Sequence, residues 1–175
     1  GHLAVAPKKP GNISQTQLSY VNIIDALSWT NTSGNLLGRP SNNFFAGLNA
    51  GYNNTTGNQN IFIGCSAGYS NTYGGQNTFI GRNAGLCNTT GCYNTFIGFN
   101  AGRSNTYGNS NFFVGLCAGY CNTTGCFNFF VGQCAGASNT TGANNTFIGR
   151  AAGHYSITGS YNFFAGLCAE FSQNI

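Results

Sequence analysis

From Asn43 onward, hydrophobic and polar residues alternate in a pattern that repeats every seventeen residues without insertion or deletion. Each repeat begins with asparagine, continues with a short apolar run around a phenylalanine, and ends in a polar turn of asparagine, threonine and glycine. The consensus is N-x-F-[IVA]-G-x-x-A-G-x-x-N-T-[TY]-G-x-x. The eight repeats begin at Asn43, Asn60, Asn77, Asn94, Asn111, Asn128, Asn145 and Asn162. A short fixed period of this kind is typical of a solenoid.

The length of the repeat decides which solenoid it forms. Seventeen residues are too few for a helical hairpin, and a glycine every few residues disfavours any helix. We therefore predict an all-β fold, a single-chain β-solenoid of eight coils over residues 43–175. Neighbouring coils would lie about 4.8 Å apart, so that the same position of successive repeats forms a column. Positions are numbered one to seventeen from the leading asparagine.

Each column then has a predicted role. Phenylalanine at position three is expected to form a stacked core ladder of Phe45, Phe62, Phe79, Phe96, Phe113, Phe130, Phe147 and Phe164. Alanine at position eight is expected to lie opposite these rings. Asparagine at position one is expected to form a ladder of hydrogen bonds along the stack. Glycine at positions five and fifteen predicts corners with positive φ.

Positions two and four flank the inward phenylalanine, so strand alternation predicts that they point outward. They hold mostly Phe, Ile, Val, Thr and Ala. An apolar strip along the whole rod would be a buried interface, because such patches are rarely left in water. The alternative is that a bend at the following glycine turns position four inward.

Residues 1–42 do not follow the repeat. They include the stretch GHLAVAPKKPGN, which predicts an extended arm, and an apolar segment over 17–38 with the single tryptophan, Trp29. This segment is expected either to cap the first coil or to be donated to a neighbouring molecule by strand addition. The last repeat ends in AEFSQNI, without a polar cap sequence. An uncapped end and an apolar arm favour head-to-tail polymerisation, whose contacts generate open filaments.

The cysteines predict disulfide bonds. Positions eleven and sixteen carry the pairs Cys87–Cys92 and Cys121–Cys126, each flanking an Asn-Thr-Thr-Gly turn that would bring the pair within bonding reach. Cys117 and Cys134 share position seven of successive coils and are expected to form a third bridge. Cys65 and Cys168 remain as free thiols or pair between subunits. Eight cysteines used in this way imply an oxidising, extracellular location.

The same turns match the N-glycosylation pattern N-x-[ST] at Asn54, Asn88, Asn122 and Asn139, with further matches elsewhere, among them Asn53 and Asn144. One interpretation is that glycans occupy these sites and alternate along the rod. The other is that Asn-Thr-Thr-Gly is simply a favourable turn sequence.

Composition limits the remaining classes of function. Charged residues make up 5% of the chain, and the net charge of +4 comes from scattered lysines and arginines, which argues against nucleic acid as a partner. No apolar run reaches the length of about 20 residues that spans a bilayer. The chain begins without methionine, so we expect a mature form whose targeting segment has been removed.

Signals for an enzyme or a cofactor are weak. The stretch GCSAG around Ser66 matches G-x-S-x-G, but it is one copy of a repeated slot and has no acid and base to activate the serine. The chain holds two acidic residues, two histidines and no Cys-x-x-Cys pair, so neither catalysis, a metal nor another cofactor is expected.

The stretch NTFIGRNAGLCNTTGCYNTFIG resembles the N-T-[AF]-[LI]-G-x-x-A-x-x-x-N-T-T-G repeats of bacterial, viral and metagenomic surface and tail-fibre proteins. The resemblance covers residues 43–175 and implies an elongated extracellular fibre or an adhesive stalk. The function predicted from the sequence is thus a structural subunit of an extracellular or cell-surface filament, with the chain itself as partner. The alternatives are a fibre shaft that binds surface glycans and an ice-binding solenoid that uses the threonines of position thirteen.

Overall fold

The computed structural model describes residues 29–30, 36–37 and 42–170. Before the repeats, two short strands pair in antiparallel fashion: β1 (Trp29–Thr30) and β2 (Leu36–Leu37). The remainder of the predicted arm or cap, residues 1–28, 31–35 and 38–41, lies outside the described residues, so its role stays a prediction.

The repeats form one parallel sheet of eight strands, in which each strand pairs with those of the repeats before and after it. The strands are β3 (Phe44–Ala46), β4 (Ile61–Ile63), β5 (Thr78–Ile80), β6 (Thr95–Ile97), β7 (Phe112–Val114), β8 (Phe129–Val131), β9 (Thr146–Ile148) and β10 (Phe163–Ala165). Residue i lies opposite residue i+17 throughout, as Phe62 does opposite Phe79. The predicted all-β solenoid of seventeen-residue coils is confirmed.

The core is the predicted phenylalanine ladder. Successive rings from Phe45 to Phe164 stack with centroids 4.7–5.0 Å apart and planes within 4–11° of parallel. The six inner rings are fully buried, as are the alanines of position eight that pack with them. Burying one such ring contributes about 1.5–3 kcal/mol, so this column is the main apolar contribution to stability.

Glycine is required at position nine because there is no room for a side chain beside the ring. Gly68 has φ +58°, and a Cβ atom on it would lie 2.5 Å from Cε2 of Phe62. At position five the predicted positive φ is confirmed, as at Gly64 with φ +130°. At position fifteen the prediction is wrong, because these glycines do not have positive φ. There, a Cβ atom on Gly91 would instead collide with the Gly108 carbonyl of the next coil.

The sequence pattern missed two corners of each coil. Among the described residues, sixteen other than glycine have φ between 49° and 62°. Fifteen of them occupy position seven or position seventeen, and the other, Asn42, directly precedes the first repeat. Asparagine tolerates this left-handed conformation at Asn83 and Asn100, but Cys117 and Ala151 adopt it as well. Stacking in register imposes one backbone shape on every coil, so the column decides the conformation and overrides the preference of the single residue.

The predicted asparagine ladder at position one is present, mainly as bonds between side chain and backbone. Asn77 shows the pattern: its backbone N–H donates to Oδ1 of Asn60 at 2.9 Å, and its Nδ2 donates to the Gly91 carbonyl at 2.8 Å. From Asn60 to Asn145 these side chains are almost completely buried. Each one therefore satisfies the backbone of two corners, as buried polar groups must.

Candidate interaction surfaces

The outward side of the parallel sheet is apolar. We call the residues at positions two and four of strands β3 to β10 the apolar face. In β4, Ile61 is 42% exposed and Ile63 is 37% exposed, while Phe62 between them is buried. The prediction that both positions point outward is confirmed, and the alternative that position four turns inward is wrong.

Aromatic rings reinforce this face. Phe112 and Phe129 stack on it with centroids 5.0 Å apart, and each is about two-fifths exposed. Residues of position six border the same sheet, and Leu48 and Leu167 there are 65% and 68% exposed. An apolar strip as long as the rod exceeds what a monomeric soluble protein usually leaves in water.

Few charges interrupt these surfaces. Within residues 42–170 the charged side chains are Arg82, Arg103, Arg150 and Glu170. The Arg82 guanidinium lies 5.8 Å from the centroid of the Phe99 ring. The Arg103 guanidinium lies 5.5 Å from that of Tyr120. Packing of this kind draws two of the cations onto aromatic faces of the rod.

The Asn-Thr-Thr-Gly corner contains a second asparagine ladder, which sequence reasoning did not anticipate. At position twelve, Nδ2 of Asn88 donates to Oδ1 of Asn71 at 2.7 Å, and Asn105 bonds Asn88 in the same way at 2.8 Å. Each amide also donates to the glycine carbonyl three residues on, as Asn88 does to Gly91 at 3.0 Å. The invariance of this asparagine over six coils was the available signal. Because this asparagine lies in a predicted turn, the sequence favours an exposed side chain that could carry a glycan.

This ladder argues against most of the predicted glycan sites. The side chains of Asn88, Asn122 and Asn139 are fully buried, and their amide nitrogens bond the interior of the corner. A glycan on Nδ2 would have to leave through packed backbone, so the burial of these three side chains argues against their use as glycan sites in the folded rod, and that use stays a prediction. Asn54 is half-buried in the first coil, and its use as a glycan site stays a prediction.

The threonines of position thirteen also bond along the rod. The hydroxyl of Thr72 donates to the Thr89 carbonyl at 3.1 Å. The same carbonyl accepts the backbone N–H groups of Thr72, Tyr73 and Gly74. The column is thus a structural corner whose hydroxyl protons are directed at the next coil.

All eight cysteines are free thiols in the structure, so none of the three predicted bridges is formed in it. Cys92 has a different role there. Its thiol donates to the Thr90 carbonyl at 3.3 Å and accepts the Gly75 N–H of the preceding coil at 3.3 Å. In the next coil, Oδ1 of Asn109 accepts the N–H of Cys92 at 2.7 Å. The thiol of position sixteen therefore serves as a small polar group that satisfies backbone, as asparagine does.

Cys126 repeats this arrangement, donating to Thr124 and accepting from Asn109. Bridges of Cys92 with Cys87 and of Cys126 with Cys121 would compete with these hydrogen bonds. Both bridges stay predictions, to be tested on the purified protein.

Cys117 and Cys134 occupy neighbouring rungs of position seven. Burial raises the pKa of the Cys117 thiol, and negative charge on Cys134 raises it further, while a hydrogen bond with Asn100 lowers it. The two thiols therefore interact, which is compatible with the predicted third bridge. Cys65 and Cys168 are exposed, and their pairing between subunits stays a prediction.

The two ends of the sheet carry open backbone edges among the described residues. Inside the rod, the N–H of Phe44 donates forward to the Asn60 carbonyl at 2.7 Å, and the N–H of Gly64 donates back to the Ala46 carbonyl at 2.8 Å. By the same register, the N–H of Phe163 faces forward from β10 with no described residue beyond it. The last strand thus has forward-facing donors of the kind that pair, inside the rod, with acceptors such as those of the first coil.

One donor near the last coil is capped by a side chain. In earlier coils the N–H of position eleven donates to a carbonyl of the next coil, as Cys87 does to Arg103. At Tyr155 the acceptor is instead Oε1 of Glu170, at 2.6 Å. Glu170 stands where other coils have glycine. The sequence interpretation of a wholly uncapped end is therefore wrong at this donor.

Beside this cap lies an open depression of about 270 Å³, lined in part by Cys134, Arg150, His154, Cys168 and Glu170. Ala151 leaves the space, because its small side chain stands between Cys134 and Cys168 in the column of position seven. Within residues 42–170, no three metal-ligating side chains converge on one point, here or elsewhere.

The part of the chain that the structure describes contains no helix of the length and apolarity needed to cross a bilayer. Comparison with protein-family models, with curated proteins and with solved structures finds no match to this chain.

Proposed function

We propose that this chain is the structural subunit of an extracellular filament, in which rods join end to end and residues 1–42 take part in the joint. The observation that carries the proposal is the complementarity of the two open edges. At one end, β10 has the forward N–H of Phe163. At the other end, β3 is preceded by the carbonyl of Asn43, which belongs to position one. In every inner coil the position-one carbonyl accepts the N–H of position two of the coil before it.

Stacking the first coil of one rod on the last coil of another would reproduce the inner rungs. The Phe163 N–H would donate to Asn43, and the Gly47 N–H would donate to Ala165, as their equivalents do at each inner step. Because this contact joins unlike surfaces and does not close, it generates a filament.

The low charge of the chain favours the same assembly. Among the described residues, three arginines and one glutamate are spread over eight coils, so little repulsion opposes the approach of two ends. Open parallel edges associate readily unless a protein protects them. The end of β10 has no proline or lysine of the kind that usually does so.

The extracellular location rests on the eight cysteines and on the resemblance to surface and tail-fibre repeats. Intact mass of the native material before and after reduction tests it. A mass deficit that reduction removes would support oxidised cysteines, and an unchanged mass with eight reactive thiols would count against an oxidising location.

A second candidate, a fibre shaft that binds glycans, is favoured by one observation. The depression beside Glu170 combines Arg150, His154 and Tyr155, which offer polar and aromatic contacts to a sugar. Its 270 Å³ is small beside the roughly 300–1,000 Å³ of most ligand pockets. Loss of glycan binding on His154→Ala would support this function. Ice binding through position thirteen is not favoured, because those hydroxyls donate into the rod.

The proposed joint is tested by blocking one edge. Phe163→Pro removes the N–H that faces forward from β10, and proline is tolerated at such an edge. Phe163→Ala removes the ring and keeps the N–H, so it is the matched control. We expect the alanine variant to pellet as polymer and the proline variant to stay in the supernatant. Equal polymerisation of both variants would contradict the proposal. So would a failure of the parent and of both variants to polymerise.

A further inference from the structure

The order of large and small side chains along the apolar face is complementary to the same order read from the other end of the rod. From β3 to β10, position two is Phe, Ile, Thr, Thr, Phe, Phe, Thr, Phe. Position four is Ala, Ile, Ile, Ile, Val, Val, Ile, Ala, which is nearly the same in both directions. Pairing the first strand with the last, the second with the second-last and so on gives four distinct pairs of position-two residues. Three of these pairs join a larger residue with threonine.

We propose that two copies of the chain pack their apolar faces together with the rods antiparallel. The two-fold axis runs along the strand direction and passes between β6 and β7. This operation lays β3 of one copy over β10 of the other, and it keeps position two over position two. A two-fold interface uses the same patch on both partners, so the patch must be complementary to itself. The pairing is lateral and goes beyond the end-to-end contact proposed above.

The central rungs show why the match is physical. Thr78 would lie over Phe129 of the second copy, and Thr95 would lie over Phe112. Each ring, about two-fifths exposed in the single rod, would fill the space that the small threonine leaves. Since interfaces pack as densely as protein interiors, a large residue needs a small one opposite.

The outermost rung satisfies the same requirement in another way. There Phe44 meets Phe163 of the second copy, so two rings compete for one space. Position four of the same strands is alanine, at Ala46 and Ala165, whereas every inner strand has valine or isoleucine. In this rung, the large rings at position two are therefore offset by the small alanines at position four.

The border of the face is compatible with the same pairing. Position six would meet its own reverse, bringing apolar residues together and setting each arginine opposite a neutral residue: Leu48 with Leu167, Arg82 with Gln133, and Arg150 with Cys65. No arginine would face an arginine. Like charges on opposite sides of an interface would disfavour the pair, and the antiparallel arrangement avoids them.

The area is sufficient for a stable pair. Eight strands spaced about 4.8 Å apart, over a width of about 20 Å with both borders, give about 750 Å² per copy. A stable interface of standard size buries about 800 Å² per partner. Sheets that pack face to face keep their strands within about 30° of each other, as this axis requires.

A parallel pair is the competing arrangement. Its two-fold axis would follow the rod, so that each strand faces the same strand of the second copy and position two faces position four. That arrangement sets large residues of position two against smaller residues of position four in the same strand. It does not use the complementarity between the first and last strands, the second and second-last strands, and so on. The antiparallel pair accounts for both columns together.

A volume swap across the proposed interface tests the pairing. Sedimentation equilibrium is measured on the Phe163→Pro chain, whose blocked edge separates lateral from end-to-end association. Within the lateral interface this change removes only the crowded contact of Phe163 with Phe44 at the two outermost rungs. We expect a dimer. Adding Thr78→Phe sets two rings against each other at two symmetric rungs, and the dissociation constant should rise by about tenfold to a hundredfold. Adding Phe129→Thr as well should restore the dimer, because ring and threonine have only exchanged copies.

A control and two outcomes make the test decisive. Thr90→Phe places the same ring at exposed position fourteen and should leave the dimer unchanged. A chain that stays monomeric, or one in which Thr78→Phe has no more effect than Thr90→Phe, would overturn the pairing. Weakening that Phe129→Thr does not rescue would overturn the antiparallel register and favour the parallel pair. A dimer without any filament from the unblocked chain would leave the pairing intact and contradict the proposed function alone.

Discussion

The side-chain amide of Asn105 donates to Oδ1 of Asn88 in the preceding coil at 2.8 Å, and both side chains are fully buried. Asn105 also donates to the Gly108 carbonyl and accepts the amide of Asn122 at 2.7 Å. One side chain thus links three coils through bonds shielded from water. The corner that looks like a surface turn in the sequence is a polar spine of the rod.

The first prediction concerns this spine. Replacing Asn105 with alanine removes three buried hydrogen bonds and leaves Oδ1 of Asn88 without its donor. We expect the free energy of unfolding to fall by about 2–4 kcal/mol, because an unsatisfied buried polar group costs about 1–3 kcal/mol. Denaturant unfolding measures the loss. Asn53→Ala, at an exposed neighbour of the first spine residue, is the control and should change it by less than about 0.5 kcal/mol.

The second prediction is a stabilising change at the end of the spine. The spine breaks after Asn122, whose buried Oδ1 has no hydrogen-bond partner among the described residues. Asn139 turns its own Oδ1 to the Gly142 N–H, and the next coil offers Ser156 where the others have asparagine.

Ser156→Asn would supply the missing amide and allow Asn139 to donate to Asn122. We expect the free energy of unfolding to rise by about 1 kcal/mol, the usual net contribution of one hydrogen bond. Ser156→Ala is the control and should give no gain. A loss of stability for Ser156→Asn relative to Ser156→Ala would show that the spine does not propagate.

The third prediction concerns glycans in a host that attaches them. Asn53 is exposed and belongs to an N-x-T sequence, whereas Asn88 and Asn122 are buried. Within residues 42–170, peptide mapping after enzymatic deglycosylation should find any occupied site at exposed Asn53 or Asn144, or at half-buried Asn54. It should find Asn88 and Asn122 unmodified. Substantial occupancy of Asn88 in folded, soluble protein would mean that the corner is not packed as described.

The fourth prediction follows from the raised pKa of the Cys117 thiol in the folded chain. Above about pH 8.5 the unfolded thiol loses its proton while the folded one keeps it. Unfolding then releases a proton, so the free energy of unfolding should decrease as pH rises through this window. Below it the effect vanishes.

The measurement is the difference in pH dependence of stability between the parent and Cys117→Ser, which removes the titrating group. We expect the serine variant to lose stability less steeply above pH 8.5 under reducing conditions. A steeper loss for the serine variant would reverse the sign and contradict the environment described for Cys117.

The period and the contents of the apolar columns were predictable, since stacking in register makes each column a repeated test of the same side chain. A phenylalanine that recurs eight times at one position, opposite an invariant alanine, has few places other than a thin core. The outward direction of Ile61 and Ile63 follows from strand alternation beside Phe62. These inferences need only the period and the geometry of a strand.

The polar half of the coil was harder to predict because one residue type serves two environments. Asparagine and threonine favour exposed turns, so Asn88 and Asn122 were interpreted as glycan sites, although stacking converts the turn into an interior. The thiol of Cys92 likewise has a hydrogen-bonding role that its reactivity conceals. The left-handed backbone at Cys117 and Ala151 has no local signal at all, since neighbouring coils impose it.

The central claim is that the rods continue one another end to end with the same rung at the joint. Electron microscopy of the purified, full-length protein, with the Fourier transform of straight segments, tests it most directly. We predict unbranched filaments with a sharp axial reflection near 4.8 Å, the spacing of parallel strands, continuous over lengths far beyond one subunit. Dispersed rods about 40 Å long, or filaments whose 4.8 Å reflection is broadened to the length of a single rod, would contradict the claim.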